Sequence, residues 1–132
     1  METYQLAKDI KVFYVTAKSF PQCVQAAYDE LYKMVGTEGR TIYGLSKPEN
    51  GTIVYRAAVA ENFDGEAEQF GCETYIIPKG TYRTETIYDF RNHMQKFAPV
   101  FQSLLDTPNL DWNTWCVEWY KNDDVLCMVK VI

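Results

Sequence analysis

The sequence predicts an α+β fold: two successive βαββ units whose strands form an antiparallel sheet, with two helices on one face and a ligand groove on the other. Three observations carry this. Apolar residues recur in alternating steps of four and three at Phe20, Val24, Ala27, Leu31 and Met34/Val35, and again at Phe90, Met94, Phe97, Phe101 and Leu104/Leu105. That spacing places each set on one stripe of an α-helix. The second set follows the first by 70 residues at every position, and β-branched and aromatic runs flank both. The chain therefore repeats itself, with halves at about 8–60 and 72–132 in a single domain.

"IKVFYVTAKS" (10–19) is rich in β-branched and aromatic residues and reads as the first strand. Ser19 followed by Gln22 suits a capping box, and Pro21 suits a first helical turn, so the helix should begin there. Gly36 and Gly39 should end it. "RTIYGLSK" and "TIVYRAAVA" form a hairpin around Asn50-Gly51, a strong turn signal. Residues 61–71, "ENFDGEAEQFG", are acidic, glycine-punctuated and aperiodic, and read as the longest loop, a candidate lid, with "DGEAE" solvated. "ETYIIPKGTYRTETI" supplies two short strands around Pro78-Lys79-Gly80, one of them an extra strand entering the second half. Val12 and Tyr14 of the first strand match Tyr82 and Thr84 at the same offset as the helices. A second helix should start near Asp89, with a kink or a junction of two helices at Pro99. "WCVEWYK" and "VLCMVKVI" close the chain as a hairpin around Asn122-Asp123-Asp124.

Composition bounds the function. The 132 residues are 47% hydrophobic and 23% charged, the balance of one ordinary globular domain. A net charge of −5 has the wrong sign for a protein that neutralises phosphates, so no direct nucleic-acid partner is expected. No basic segment precedes an apolar one at the start and no apolar run is long enough to span a bilayer, so the expectation is a cytoplasmic protein with no membrane partner. Four cysteines without CxxC spacing argue for free thiols and against a metal, and no phosphate loop or other cofactor motif is present, so no cofactor is expected. Aromatic residues reach 15%, with ten tyrosines, more than one small core encloses, so some rings should line a surface or a cleft.

One stretch bears on chemistry. In "WCVEWY" (115–120) alternation puts Cys116, Glu118 and Tyr120 on one side of a strand and Trp115, Val117 and Trp119 on the other. The tryptophan side reads as core, which leaves Glu118 facing solvent or a lined cavity. The lone histidine, His93, falls one step off the second stripe and reads as an edge-of-core residue; no GxSxG-type nucleophile motif accompanies it.

The order of elements, with Tyr43-Gly44 opening the first hairpin, "IPKGTY" (77–82) before the strand that leads into the second helix and "EWY" (118–120) in the penultimate strand, resembles the GyrI-like effector-binding domains. These occur fused to DNA-binding regions in AraC-type and MerR-type multidrug regulators and also as separate proteins. The resemblance implies a groove for planar or cationic organic molecules contacted by a glutamate in the penultimate strand, here Glu118. Tyr120, Tyr43 and Tyr82 are implied as its walls, with Tyr55 and Tyr75 further candidates.

It also implies two alternatives to a sensor or sequestering protein. One is a hydrolase opening cyclopropanoid electrophiles, with Glu118 as general base and a tyrosine such as Tyr82 holding the leaving oxygen. The other is a protein-interaction module such as a gyrase inhibitor. A small-molecule ligand is thus the expected partner, with a separately encoded DNA-binding regulator, gyrase or a second copy of the chain as further ones; this sequence carries no helix-turn-helix region.

Overall fold

The computed structural model describes residues 1–132 and has α+β architecture. Its elements run β1 (Glu2–Leu6), β2 (Ile10–Thr16), α1 (Val24–Val35), β3 (Ile42–Glu49), β4 (Thr52–Ala60), α2 (Glu66–Gln69), β5 (Glu73–Ile77), β6 (Gly80–Ile87), α3 (Phe97–Leu105), β7 (Cys116–Lys121) and β8 (Asp124–Lys130). They gather into two compact units, one of residues 10–77 and one of residues 1–9 with 78–132.

In the 10–77 unit the strand order is β3-β4-β2-β5, with every pairing antiparallel. Helix α1 covers one face, where Phe13, Ala57 and Val59 of the strands meet Ala27, Tyr28 and Leu31 of the helix. Leu31 is fully buried. The helix starts later than its sequence suggests: residues 20–23 form a turn, in which the Val24 amide bonds to the Pro21 carbonyl and Cys23 takes the N-cap position without a side-chain cap. The Ser19 hydroxyl donates to Cys23 Sγ, so the capping box does not form. Gly36 ends the helix at φ +71°, its amide bonded to the Tyr32 carbonyl. Asn50 and Gly51 both have positive φ, the two-residue turn whose twist suits a hairpin. Gly51→Ala should cost about 1–2 kcal/mol in chemical denaturation, because a β-carbon is strained at φ +80°. An unchanged midpoint would refute that reading of the turn.

Residues 61–71 are only in part a solvated loop: 62–65, 68, 69 and 71 are exposed, but Glu66–Gln69 form the single turn α2, with Glu66 only 2% exposed. The Arg40 guanidinium meets both Glu66 carboxylate oxygens, and the Asn62 amide donates to one of them at 2.8 Å. Glu61 accepts the Ala67 amide and pairs with Lys11. Phe70 stacks on Phe13 at 6.3 Å. A local acidic pattern reads as solvated because its partner, Arg40, is 26 residues away in sequence.

In the second unit the order is β1-β6-β8-β7, again antiparallel throughout. The predicted helix from Asp89 is instead two 3₁₀ turns, Phe90–Asn92 and Met94–Lys96, followed by α3. Pro99 is the third residue of α3, where its missing N–H has no intrahelical partner to lose. The break thus falls before the proline rather than at it. Val100 and Leu104 are buried against Ile87, Val125, Cys127 and Val129, while Met94, on the predicted stripe, is 59% exposed.

The repeat is visible in burial. Residues 51–60 and 121–130 share the same pattern position by position. It also extends further than the sequence periodicity indicates. β1, "ETYQL", and β5, "ETYII", have the same burial pattern and are exchanged between repeats: β1 pairs with β6, and β5 with β2. The extra strand expected in the second half therefore joins the first unit. The amide of Lys79 donates to Asp9 Oδ1 at 2.7 Å, tying the segment after β1 to the one before β6.

Candidate functional site

The β7–β8 hairpin turns at Asn122-Asp123, with Asn122 at φ +59°, and its register sets Glu118 opposite Cys127 and Tyr120 opposite Val125. Val125 and Cys127 belong to the core beneath α3, against which Cys116 and Tyr120 also pack. Glu118 therefore shares the face that α3 covers, which excludes the solvent alternative of its two sequence readings, solvent or a lined cavity. It is 8% exposed. A carboxylate in such a place is stable only when hydrogen-bonded or paired, and the Tyr120 hydroxyl donates to Glu118 Oε1 at 2.7 Å.

The Tyr120 ring meets Phe90 nearly edge-on, at 5.1 Å and 69°, and Phe90 meets Phe97 at 6.3 Å and 90°. The Arg91 guanidinium lies over the Phe90 ring, 4.6 Å from its centroid. Burial pushes the Cys127 thiol well above its ordinary range, helped by the charges of Glu118 and Glu85 and by Cys116. Cys127 is thus a neutral wall residue, not a nucleophile. The cluster offers a carboxylate, a phenol and aromatic edges in one low-dielectric place. Such a group can hold an organic cation or move a proton.

Of the other predicted residues, Tyr82 lies in the same unit as Glu118, and Tyr43, Tyr55 and Tyr75 lie in the 10–77 unit. Tyr82 is fully buried and lies on the opposite face of the same sheet, opposite Tyr4 and Lys130, and its hydroxyl donates to the Pro78 carbonyl at 2.6 Å. Its side chain is thus on the sheet face away from Glu118. Tyr55, in the 10–77 unit, is under α1, where its hydroxyl and that of Tyr28 are 2.9 Å apart; Tyr28 donates in turn to the Tyr43 carbonyl at 2.8 Å. The Tyr43 side chain, opposite Ala58, and that of Tyr75, opposite Val12, are on the face away from α1. His93 is half-exposed, its Nδ1 2.9 Å from the Asp89 carbonyl oxygen.

Sequence reasoning took Phe20 and Phe90 only as core positions. Each instead meets a tyrosine of its own unit: Phe20 stacks on Tyr55 at 5.8 Å, as Phe90 meets Tyr120. Their 70-residue offset was the available signal. Register shows an asymmetry between the repeats. Glu118 pairs with Cys127, and Gly44 pairs with Ala57, 70 residues before Cys127. The position that carries a carboxylate in one repeat is bare backbone in the other. No three His, Cys, Asp or Glu side chains converge to hold a metal ion, and no helix is long and apolar enough to cross a membrane.

No protein-family profile matches the sequence, and no curated protein sequence does. Solved structures do match. An integron cassette protein from the mobile metagenome of Vibrio cholerae is similar over 99% of this chain and 95% of its own, with a TM-score of 0.73 at 13% identity. SAV2435, solved bound to tetraphenylphosphonium, is similar over 98% and 94%, with a TM-score of 0.64 at 16% identity. A candidate transcription regulation protein from Staphylococcus aureus MU50 is similar over 98% and 97%, with a TM-score of 0.59 at 15% identity. The shared property is the fold. It extends over almost the whole of each chain.

Proposed function

We propose that this chain is a GyrI-like effector-binding protein that takes hydrophobic organic cations at Glu118, as a sensor or a sequestering protein. The observation that carries the reading is a carboxylate only 8% exposed, held by a phenol and walled by aromatic rings on a face that a helix covers. A structural carboxylate at that cost has easier replacements, since an apolar residue would pack there without a desolvation penalty. A carboxylate kept in such surroundings can instead serve to attract a cationic ligand. Each aromatic face adds about 0.5–2 kcal/mol depending on desolvation, so two or three rings with one carboxylate reach roughly micromolar affinity. The net charge of −5 favours accumulation of cations at the surface. The likeness of fold to a protein that binds tetraphenylphosphonium supports the same ligand class.

Calorimetric titration with tetraphenylphosphonium tests the proposal, with triphenylphosphine oxide as a neutral aromatic control. The expected result is saturable binding of the phosphonium at roughly micromolar concentration and binding of the oxide at least tenfold weaker. No heat of binding for the phosphonium up to the millimolar range, or equal affinity for the two compounds, would dismiss it.

A further inference from the structure

On the other face of the 1–9/78–132 unit's sheet, away from Glu118, an aromatic corner already contains a cation. Trp119 of β7 and Tyr4 of β1 lie with ring centroids 6.0 Å apart and planes at 80°. Lys121 is two residues beyond Trp119, so it projects to the same side. Its Nζ is 4.0 Å from the Trp119 centroid and 6.0 Å from that of Tyr4. Within the unit's strand order, β6 and β8 separate β1 from β7. The two rings therefore meet because the sheet curls toward this face, and neither strand makes the corner alone. Trp119 and Tyr4 are half-buried, whereas Lys121 is exposed.

We propose that this corner is a binding site for small quaternary ammonium groups, with Lys121 as a built-in occupant that the ligand displaces. Two perpendicular rings present two electron-rich surfaces to one point, which suits a compact cation. The lysine ammonium is a poor final occupant, because it is strongly hydrated and its exposed position lets water compete with the rings. A trimethylammonium head has no N–H groups to leave without partners and sheds its water more readily, so it gains more from the same two faces. Lys121 is tethered and always at hand, which lowers the apparent affinity by the fraction of time the corner is open. Shortening the lysine should therefore tighten binding, the reverse of what deleting an ordinary contact residue does. The site is separate from the one proposed at Glu118 and does not depend on it.

Ligand-observed NMR with choline tests this, using 3,3-dimethylbutan-1-ol as the neutral molecule of the same shape. In wild type the choline methyl signal should move upfield from ring currents on addition of protein, and the alcohol signal should not. Lys121→Ala should bind choline at least threefold more tightly, and adding Trp119→Leu or Tyr4→Leu to it should weaken binding tenfold or more. Glu118→Gln should leave choline binding unchanged. Equal or weaker binding in Lys121→Ala overturns the proposal, as does binding that survives both aromatic replacements. Loss of choline binding in Glu118→Gln also overturns it, by moving the cation to the carboxylate, while leaving the reading of Glu118 intact. Thermal melting of each variant identifies any that fails to fold, and the comparison of Lys121→Ala with wild type decides the matter without the aromatic variants.

Discussion

Arg40→Met should destabilise the protein by about 3–5 kcal/mol, the range for removing one partner of a buried ion pair. The Arg40 and Glu66 side chains are 7% and 3% exposed, and the substitution leaves the carboxylate in place without its guanidinium. Removing both charges should do much less. Arg40→Met combined with Glu66→Leu should recover most of the loss, since a well-packed apolar pair often matches or exceeds a buried salt bridge. Urea denaturation of the two single variants and the double variant measures this directly. A loss below about 1 kcal/mol for Arg40→Met would show that the pair behaves like an exposed one.

The same pair predicts a pH dependence. Hydrogen bonds from Arg40 hold the Glu66 carboxyl below its ordinary range, against an opposing effect of burial. A carboxyl whose folded value is depressed binds fewer protons folded than unfolded at acid pH, so its contribution is complete above the ordinary glutamate value of about 4.3 and is lost as pH falls below it. Wild-type stability should therefore decline below about pH 4.5. In Arg40→Met the effect of burial is opposed only by the smaller one of the Asn62 amide, so the carboxyl's value should rise and part of the lost stability should return as pH is lowered from 7 toward 5. Parallel stability profiles for the two proteins would contradict this account of α2.

Glu118→Gln should lower the affinity for tetraphenylphosphonium at least tenfold, or about 1.4 kcal/mol, and change the affinity for triphenylphosphine oxide less than twofold. The amide keeps an oxygen to accept the Tyr120 hydroxyl and nearly the same volume, so the aromatic wall at Phe90 is retained. What is lost is the charge, and truncating a charge partner in a desolvated contact costs about 2–5 kcal/mol in favourable cases. Calorimetry on both proteins with both compounds separates the charge contribution from the shape contribution. Unaltered phosphonium affinity would remove Glu118 from the site. Equal losses for the two compounds would mean that the substitution damages packing rather than electrostatics.

Much of the fold was legible in the amino-acid order. The apolar steps of α1, the turn at Asn50-Gly51 and the β7–β8 hairpin are local patterns, set by which side chains lie three, four or two residues apart. The 70-residue offset disclosed the duplication for the same reason. Glu118 stood out because a carboxylate among aromatic residues is legible without any coordinates, and its partner Tyr120 lies only two residues away.

The long-range contacts are of another kind. Arg40 and Glu66, Tyr28 and Tyr55, and Phe90 and Tyr120 are each separated by more than 25 residues. β1 was overlooked because five residues of alternating pattern at a chain end give little periodicity, and its pairing with β6 spans about 80 positions. Alternation reveals which residues share a side with Glu118, and only the register with Cys127 reveals that α3 lies over that side. Periodicity is a property of neighbours along the chain, whereas burial depends on what a distant segment places on top. The sequence alone determined the repeated α+β plan and the unusual carboxylate. Tertiary packing decided that the carboxylate is covered, that Tyr82 lies on the opposite face of the sheet, and that Glu66 within the acidic 61–71 segment is clamped by Arg40.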